Sequence, residues 1–264
     1  MNYQDILYSK EEGIATITLN RPDRLNAFSS EMLNSLYAAM EDAAGDDAVR
    51  VLVFTGTGRA FCSGADVKAM VEGHTPLYRG PEDSGTEAGD FPLYPRIHRI
   101  EKPTIAAING VAVGGGFDFA LSCDIRIASD QARFSEVFIR RGLIPVGGGT
   151  YFLPRLIGID KACQLIWTGD MIDAQEAERI GLVTKVVPHD ELEVATRELA
   201  EKLAKGPPLA IRQAKRAIYE GLKMDLPWTL NHVATVSQVL RVSEDHKEGA
   251  RAFVEKRQPV FKGR

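Results

Sequence analysis

The chain has 264 residues, 44% hydrophobic and 26% charged, with a formal net charge of −4. That composition fits one large globular domain with a small appendage and excludes a disordered chain. The acidic balance speaks against a nucleic-acid surface, which needs a clustered basic face, but it leaves room for an anionic ligand held by a few local cations. No apolar run reaches the roughly 18 residues of a membrane span. The start, MNYQDILYSKEEG, lacks the basic and apolar regions of a signal peptide, so a cytoplasmic address without membrane contact is expected. Cys62, Cys123 and Cys163 are far apart and unpaired in sequence. They suggest neither a disulfide nor a metal site and read as small buried hydrophobes.

Taken in order, residues 5–20 alternate around Glu11-Glu12-Gly13 and predict a β-hairpin. RPDRLNAF (Arg21–Phe28) follows as a loop, and Ser29 or Ser30 caps a helix to about Ala44 with Met32, Leu33, Leu36 and Met40 on its apolar face. Val51–Met70 reads as a β-branched strand, a glycine turn and a helix opening at Gly64-Ala65. The stretch 72–92 is rich in glycine, proline and acids without periodicity, the mark of a functional or mobile loop; Tyr78, Phe91 and the nearby Tyr94 are candidates to line a ligand or to anchor the surface.

After a helix from about Leu93 comes PTIAAINGVAVGGGFDFALSCDIRIAS (Pro103–Ser129). It predicts a buried strand at Thr104–Ile108, an Asn109-Gly110 turn, three glycines, a helix from about Phe117 and a strand at Asp124–Ala128. Glycines opening a helix either permit tight packing or expose free N–H groups to an anionic oxygen. Residues 133–149 give a short helix, a break at Pro145 and a second glycine triplet, followed by a helix at Asp160–Thr168. Asp173 and Glu176 stand at capping-box spacing, with Gly181 closing that helix before a strand. Strands and helices thus alternate to about Val187, an α/β pattern, and from Asp190 the chain is nearly all helix.

The triplet Gly64-Ala65-Asp66 and the run from Lys102-Pro103 to Gly116 together resemble the two signatures of the enoyl-CoA hydratase/isomerase (crotonase) superfamily, and the likeness extends from RPDRLNAF to FVEKRQPVFKGR. The resemblance implies an α/β fold, a crotonase-like (ClpP/crotonase) spiral of ββα units over residues 1–195. A C-terminal α-helical region, 196–264, would mediate homotrimers or dimers of trimers. It implies an acyl-CoA substrate, with no cofactor beyond the coenzyme A of the substrate itself. The backbone N–H groups of Ala65 and Gly115 would form an oxyanion hole, with Arg24, Ala65, Asp66, Val67, Phe138 and Val146 around the substrate. Phe253 and Lys256 match the family's last helix, which reaches the CoA of a neighbouring subunit.

The acids depart from the family pattern. Hydratases of the family carry two glutamates, at positions that here are Asp118 and Phe138, and a third acidic position used by other branches is Val146. Asp118 is therefore expected as the sole catalytic acid or base, suited to a 1,3-proton shift or, less readily, to adding water at an enoyl-CoA double bond. Glu136 lies two positions from Phe138, roughly 200° round a helix, and is expected to point elsewhere. Apolar Phe138 and Val146 are expected to dry the pocket and raise the Asp118 pKa. A non-catalytic acyl-CoA binding protein and an acyl-CoA thioester hydrolase stand as alternatives. No P-loop, HExxH or GxSxG is present, and the five histidines have no metal-ligand spacing.

Overall fold

Alternating apolar residues around a turn that needs left-handed backbone produce the first hairpin. Ile6–Glu11 (β1) pairs antiparallel with Ile14–Leu19 (β2), and Glu12 and Gly13 turn with φ of +50° and +81°. The computed structural model describes residues 3–66 and 93–264. The Ser29 side chain accepts from the Met32 N–H and caps Ser30–Gly45 (α1), whose Met32 and Leu36 are fully buried.

Three strand pairs then repeat one plan: Val51–Gly56 (β3) with Ala60–Cys62 (β4), Thr104–Ile108 (β5) with Val111–Val113 (β6), and Ile125–Ser129 (β7) with Arg133–Ser135 (β8). The first member of each pair joins a six-stranded sheet and the second a four-stranded one. The orders are β1-β2-β3-β5-β7-β10 and β4-β6-β8-β9, with β9 at Ile172–Asp173 and β10 at Lys185–Val187. The chain therefore winds as a spiral, and tight turns must connect the two sheets. At one of them Asn109 donates to the Gly58 and Ala60 carbonyls, while a side chain on Gly110 would run into the Arg59 carbonyl. Gly115–Ser122 (α3) passes through the interior. Its Phe119 ring lies 5.1 Å from Phe54 and 5.5 Å from Phe61, all fully buried. Burial of this kind contributes about 1.5–3 kcal/mol per ring.

Leu93–Arg99 (α2) packs on α3. Gly149–Ile157 (α4) is a helix that Pro154 conceals in the sequence; it persists because Leu153 is buried and the helix lies against Ile159–Thr168 (α5). Asp173 accepts from the Glu176 N–H at the start of Ala174–Arg179 (α6). Leu192–Ala204 (α7) covers the outer face of the larger sheet, placing Leu192 and Ala200 with Val51, Val53 and Ile105. A boundary between 195 and 196 falls inside this helix.

Three further helices follow, Pro208–Gly221 (α8), Leu226–Arg241 (α9) and Glu244–Glu255 (α10). The first docks through a nearly buried polar cluster in which Lys215 Nζ lies 2.7 Å from Asp124 Oδ2 and the Tyr219 hydroxyl donates to Asp124 Oδ1 at 2.7 Å. Lys215→Met should leave Asp124 with an uncompensated charge and cost about 3 kcal/mol or more; equilibrium denaturation with amide exchange in α8 measures it. Elsewhere α8 and α9 present Ile218, Leu226, Leu230 and Val239 to solvent. No helix among the described residues is long and apolar enough to cross a membrane.

Candidate active site

Two glycine turns bring the ends of β4 and β6 together. The chain turns at Gly64 with φ +83° and at Gly114 with φ +53° and ψ −125°, conformations that favour glycine. A Cβ on Gly64 would lie only 2.9 Å from the Gly115 amide nitrogen. Phe28 donates its N–H to the Gly64 carbonyl at 2.8 Å and bridges to Ala65, fixing the chain just beyond β4. Among the described residues, neither the Ala65 nor the Gly115 N–H has a hydrogen-bond acceptor, and both residues are partly exposed. The Gly115 N–H also heads α3, at the positive end of its dipole. This is chemistry for an oxygen that acquires negative charge.

Asp118 sits one turn into α3 and is wholly buried. The second glycine triplet makes its pocket: Gly147 donates its N–H to Asp118 Oδ2 at 2.8 Å, and a side chain on Gly147 would collide with Tyr94 and Asp118. Burial raises Asp118 to about 7, opposed by the amides of Gly147 and Gly149. The groups that dry it are only partly those expected. Tyr94, buried, lies between Gly147 and the oxyanion turn and donates its hydroxyl to the Gly115 carbonyl at 3.2 Å. Phe138 is half-buried, its ring 3.8 Å from where a Gly114 Cβ would stand, whereas Val146 is 50% exposed in the single chain.

Glu136 corrects the sequence reading. Its backbone, φ −91° and ψ 66°, precedes the 3₁₀ turn Val137–Arg141, so helical rotation does not govern its direction. Instead it directly follows β8 and, like Phe134 and Ser135 before it, is buried. The position where a Gly149 Cβ would stand is 2.5 Å from both Asp118 Oδ1 and Glu136 Oε1. Burial and the charge of Asp118 raise Glu136 to about 10. A period-two count through RFSE was the signal that would have found it.

The remaining candidates are placed more loosely. Arg24 is exposed in the 3₁₀ turn Pro22–Arg24, and Asp66 lies 3.5 Å from Arg21, which the sequence reading passed over. Val67, His74, Tyr78 and Phe91 lie outside the described residues. His98 packs 4.2 Å from the Tyr219 ring, in the α8 contact. Phe253 is 87% exposed on α10, and Lys256 ends that helix in the left-handed conformation. Cys62 and Cys123 are buried, and burial pushes both thiols up to about 12, so they are inert at neutral pH.

With that geometry in hand, the sequence matches the family described as enoyl-CoA hydratase/isomerase over residues 9–264. The chain belongs to the enoyl-CoA hydratase/isomerase family. It is 38% identical to the short-chain-enoyl-CoA hydratase of Clostridium acetobutylicum, with 97% of each chain aligned. It is also 38% identical to the crotonyl-CoA hydratase of Syntrophomonas wolfei, over 99% of each. The crystal structure of the enoyl-CoA hydratase from Bacillus anthracis superposes with a TM-score of 0.90 at 37% identity, over 99% of this chain and 100% of that one. The spiral of paired strands is thus the crotonase fold, and the protein is an enzyme of the hydratase/isomerase family.

Proposed function

We propose that this family member binds an enoyl-CoA thioester, holds the developing enolate oxygen with the Ala65 and Gly115 N–H groups, and moves a proton with Asp118. The observation that carries this reading is the placement of a buried carboxyl one turn after the Gly115 N–H on the same helix. Asp118 as a carboxylate takes a proton from the carbon next to the thioester. The C–H electron pair becomes the enolate, and its charge gathers on the oxygen between the two donors, each contributing roughly 3–4 kcal/mol. Return of the proton at a different carbon completes a 1,3-shift. Addition of water is a second reading, supported by the hydratase names of the relatives and by a second carboxyl beside Asp118.

Arg24, Asp66 and Val67 would flank the CoA. The helices beyond α7 would form the self-association layer of a trimer or dimer of trimers, where the exposed apolar side chains of α8 and α9 find cover and where Phe253 and Lys256 would reach a neighbour's CoA. Incubation with crotonyl-CoA, a 3-enoyl-CoA and a ring-conjugated dienoyl-CoA in D₂O is the test, followed by mass and absorbance. Deuterium should enter at least one substrate at carbon, and added water would mark a hydratase. Binding without any exchange would overturn the reading, and release of free CoA thiol instead, measured with Ellman's reagent, would indicate hydrolysis.

A further inference from the structure

We infer that Glu136 is the second proton-holding group of this site, a positioning residue that forms with Asp118 a buried carboxyl pair carrying one proton in the resting enzyme. The inference rests on the reading of Asp118 as the base. Its first support is distance. Asp118 Oδ1 and Glu136 Oε1 both lie 2.5 Å from one point above Gly149, so they are separated by no more than twice that length. The second is the hydrogen-bond inventory. Asp118 Oδ1 and both carboxyl oxygens of Glu136 are buried without a hydrogen-bond partner, while Asp118 Oδ2 accepts from Gly147. Unpartnered oxygens in this number are costly if the pair is fully ionised.

The third support is the charge environment. Among the described residues Tyr94 from α2 is the titratable group that interacts with both carboxyls, while the opening of α4 offers backbone amides. Neither is a cation, and two like charges this close in a dry site do not both form. The negative charge belongs on Asp118, which accepts the Gly147 N–H, and the proton on Glu136, which has no donor.

The pair alters proton transfer. When Asp118 takes a substrate proton, the pair holds two. Two neutral acids can exchange protons directly after a small rotation or through one water, each giving one and receiving one, with no change of charge. The proton returned to carbon is then drawn from both acids. The second acid of the family thus has a replacement two residues upstream of its usual place.

The experiment compares wild type with Glu136→Gln, a neutral isostere, in two measurements. The first is chemical denaturation between pH 7 and 9, above the range in which Asp118 itself loses its proton. A proton held by folded Glu136 and released on unfolding makes wild-type stability fall as pH rises, by about tenfold in the folding constant per pH unit at most for that group. Glu136→Gln should flatten the slope; an unchanged slope overturns the inference, and a flat wild-type curve does so without the variant. The second is the fate of deuterium at C2 of a 3-enoyl-CoA in ordinary water. Wild type should return a minority of the label to the product, and Glu136→Gln about twofold more, because only one acid proton then remains. Equal retention overturns the inference alone. Failure of the wild type to remove label from C2 overturns the Asp118 reading and the inference with it.

Discussion

Asp118→Asn is expected to lower enolate-forming exchange by about 10²–10⁴-fold, the contribution of a positioned base, while acyl-CoA affinity stays within a few-fold. Affinity is spared because the Ala65 and Gly115 donors are backbone groups at the Gly64 and Gly114 turns, which this side chain does not build. Asn retains an oxygen for the Gly147 N–H, so the second glycine turn keeps its contact with α3. It also removes a carboxyl that burial holds at about 7. A folded Asp118 retains its proton above the pH at which an unfolded one loses it. Stability at the site therefore falls as pH rises from the ordinary carboxyl range through 7, and the variant should lose that part of the slope. Activity runs the opposite way, rising through the same window as the base form appears. Deuterium exchange against pH, with calorimetric binding of a saturated acyl-CoA, measures both; wild-type turnover in the variant would remove Asp118 from the mechanism.

Gly116→Ala should be far more damaging than its single methyl suggests. A Cβ there would overlap the Cys62 carbonyl oxygen and stand 2.6 Å from its carbon, backbone that cannot rotate away. Cys62 ends β4 and leads to the oxyanion turn, so relief of the clash must separate β4 from α3 and move Ala65 away from Gly115. A cost of about 3 kcal/mol or more is expected, the upper range of overpacking. Substrate binding should weaken along with stability. Gly45→Ala is the control: at the end of α1 it meets nothing within 4 Å, and alanine should be neutral or stabilise by up to ~1 kcal/mol. Urea midpoints of the two variants test the contrast.

The hairpin, the capped α1, the first strand of each pair and the helical C-terminal region were legible because each is encoded locally, by alternation, by a capping serine or by a proline at a helix start; the second strands β4, β6 and β8, three residues each, were not, and β8 stands where the sequence predicts the start of a short helix. Helix α4 was not, because Pro154 reads as a breaker and only its packing on α5 outweighs that preference. Glu136 was misread for a related reason. Counting helical turns across SEVFI assumes the helix begins before it, and the Glu136 backbone, φ −91° and ψ 66°, is not yet helical.

The family, the fold class and the two glycine turns were readable from the chain alone, since the strand pattern and the positive φ of Gly64 and Gly114 are local necessities of backbone conformation. Tertiary structure decided which acids meet. Asp118 comes from α3, Glu136 from the end of β8 and their common neighbour Gly149 from the opening of α4. Their distances, their burial and hence where the proton resides depend on how the spiral packs those three segments against one another.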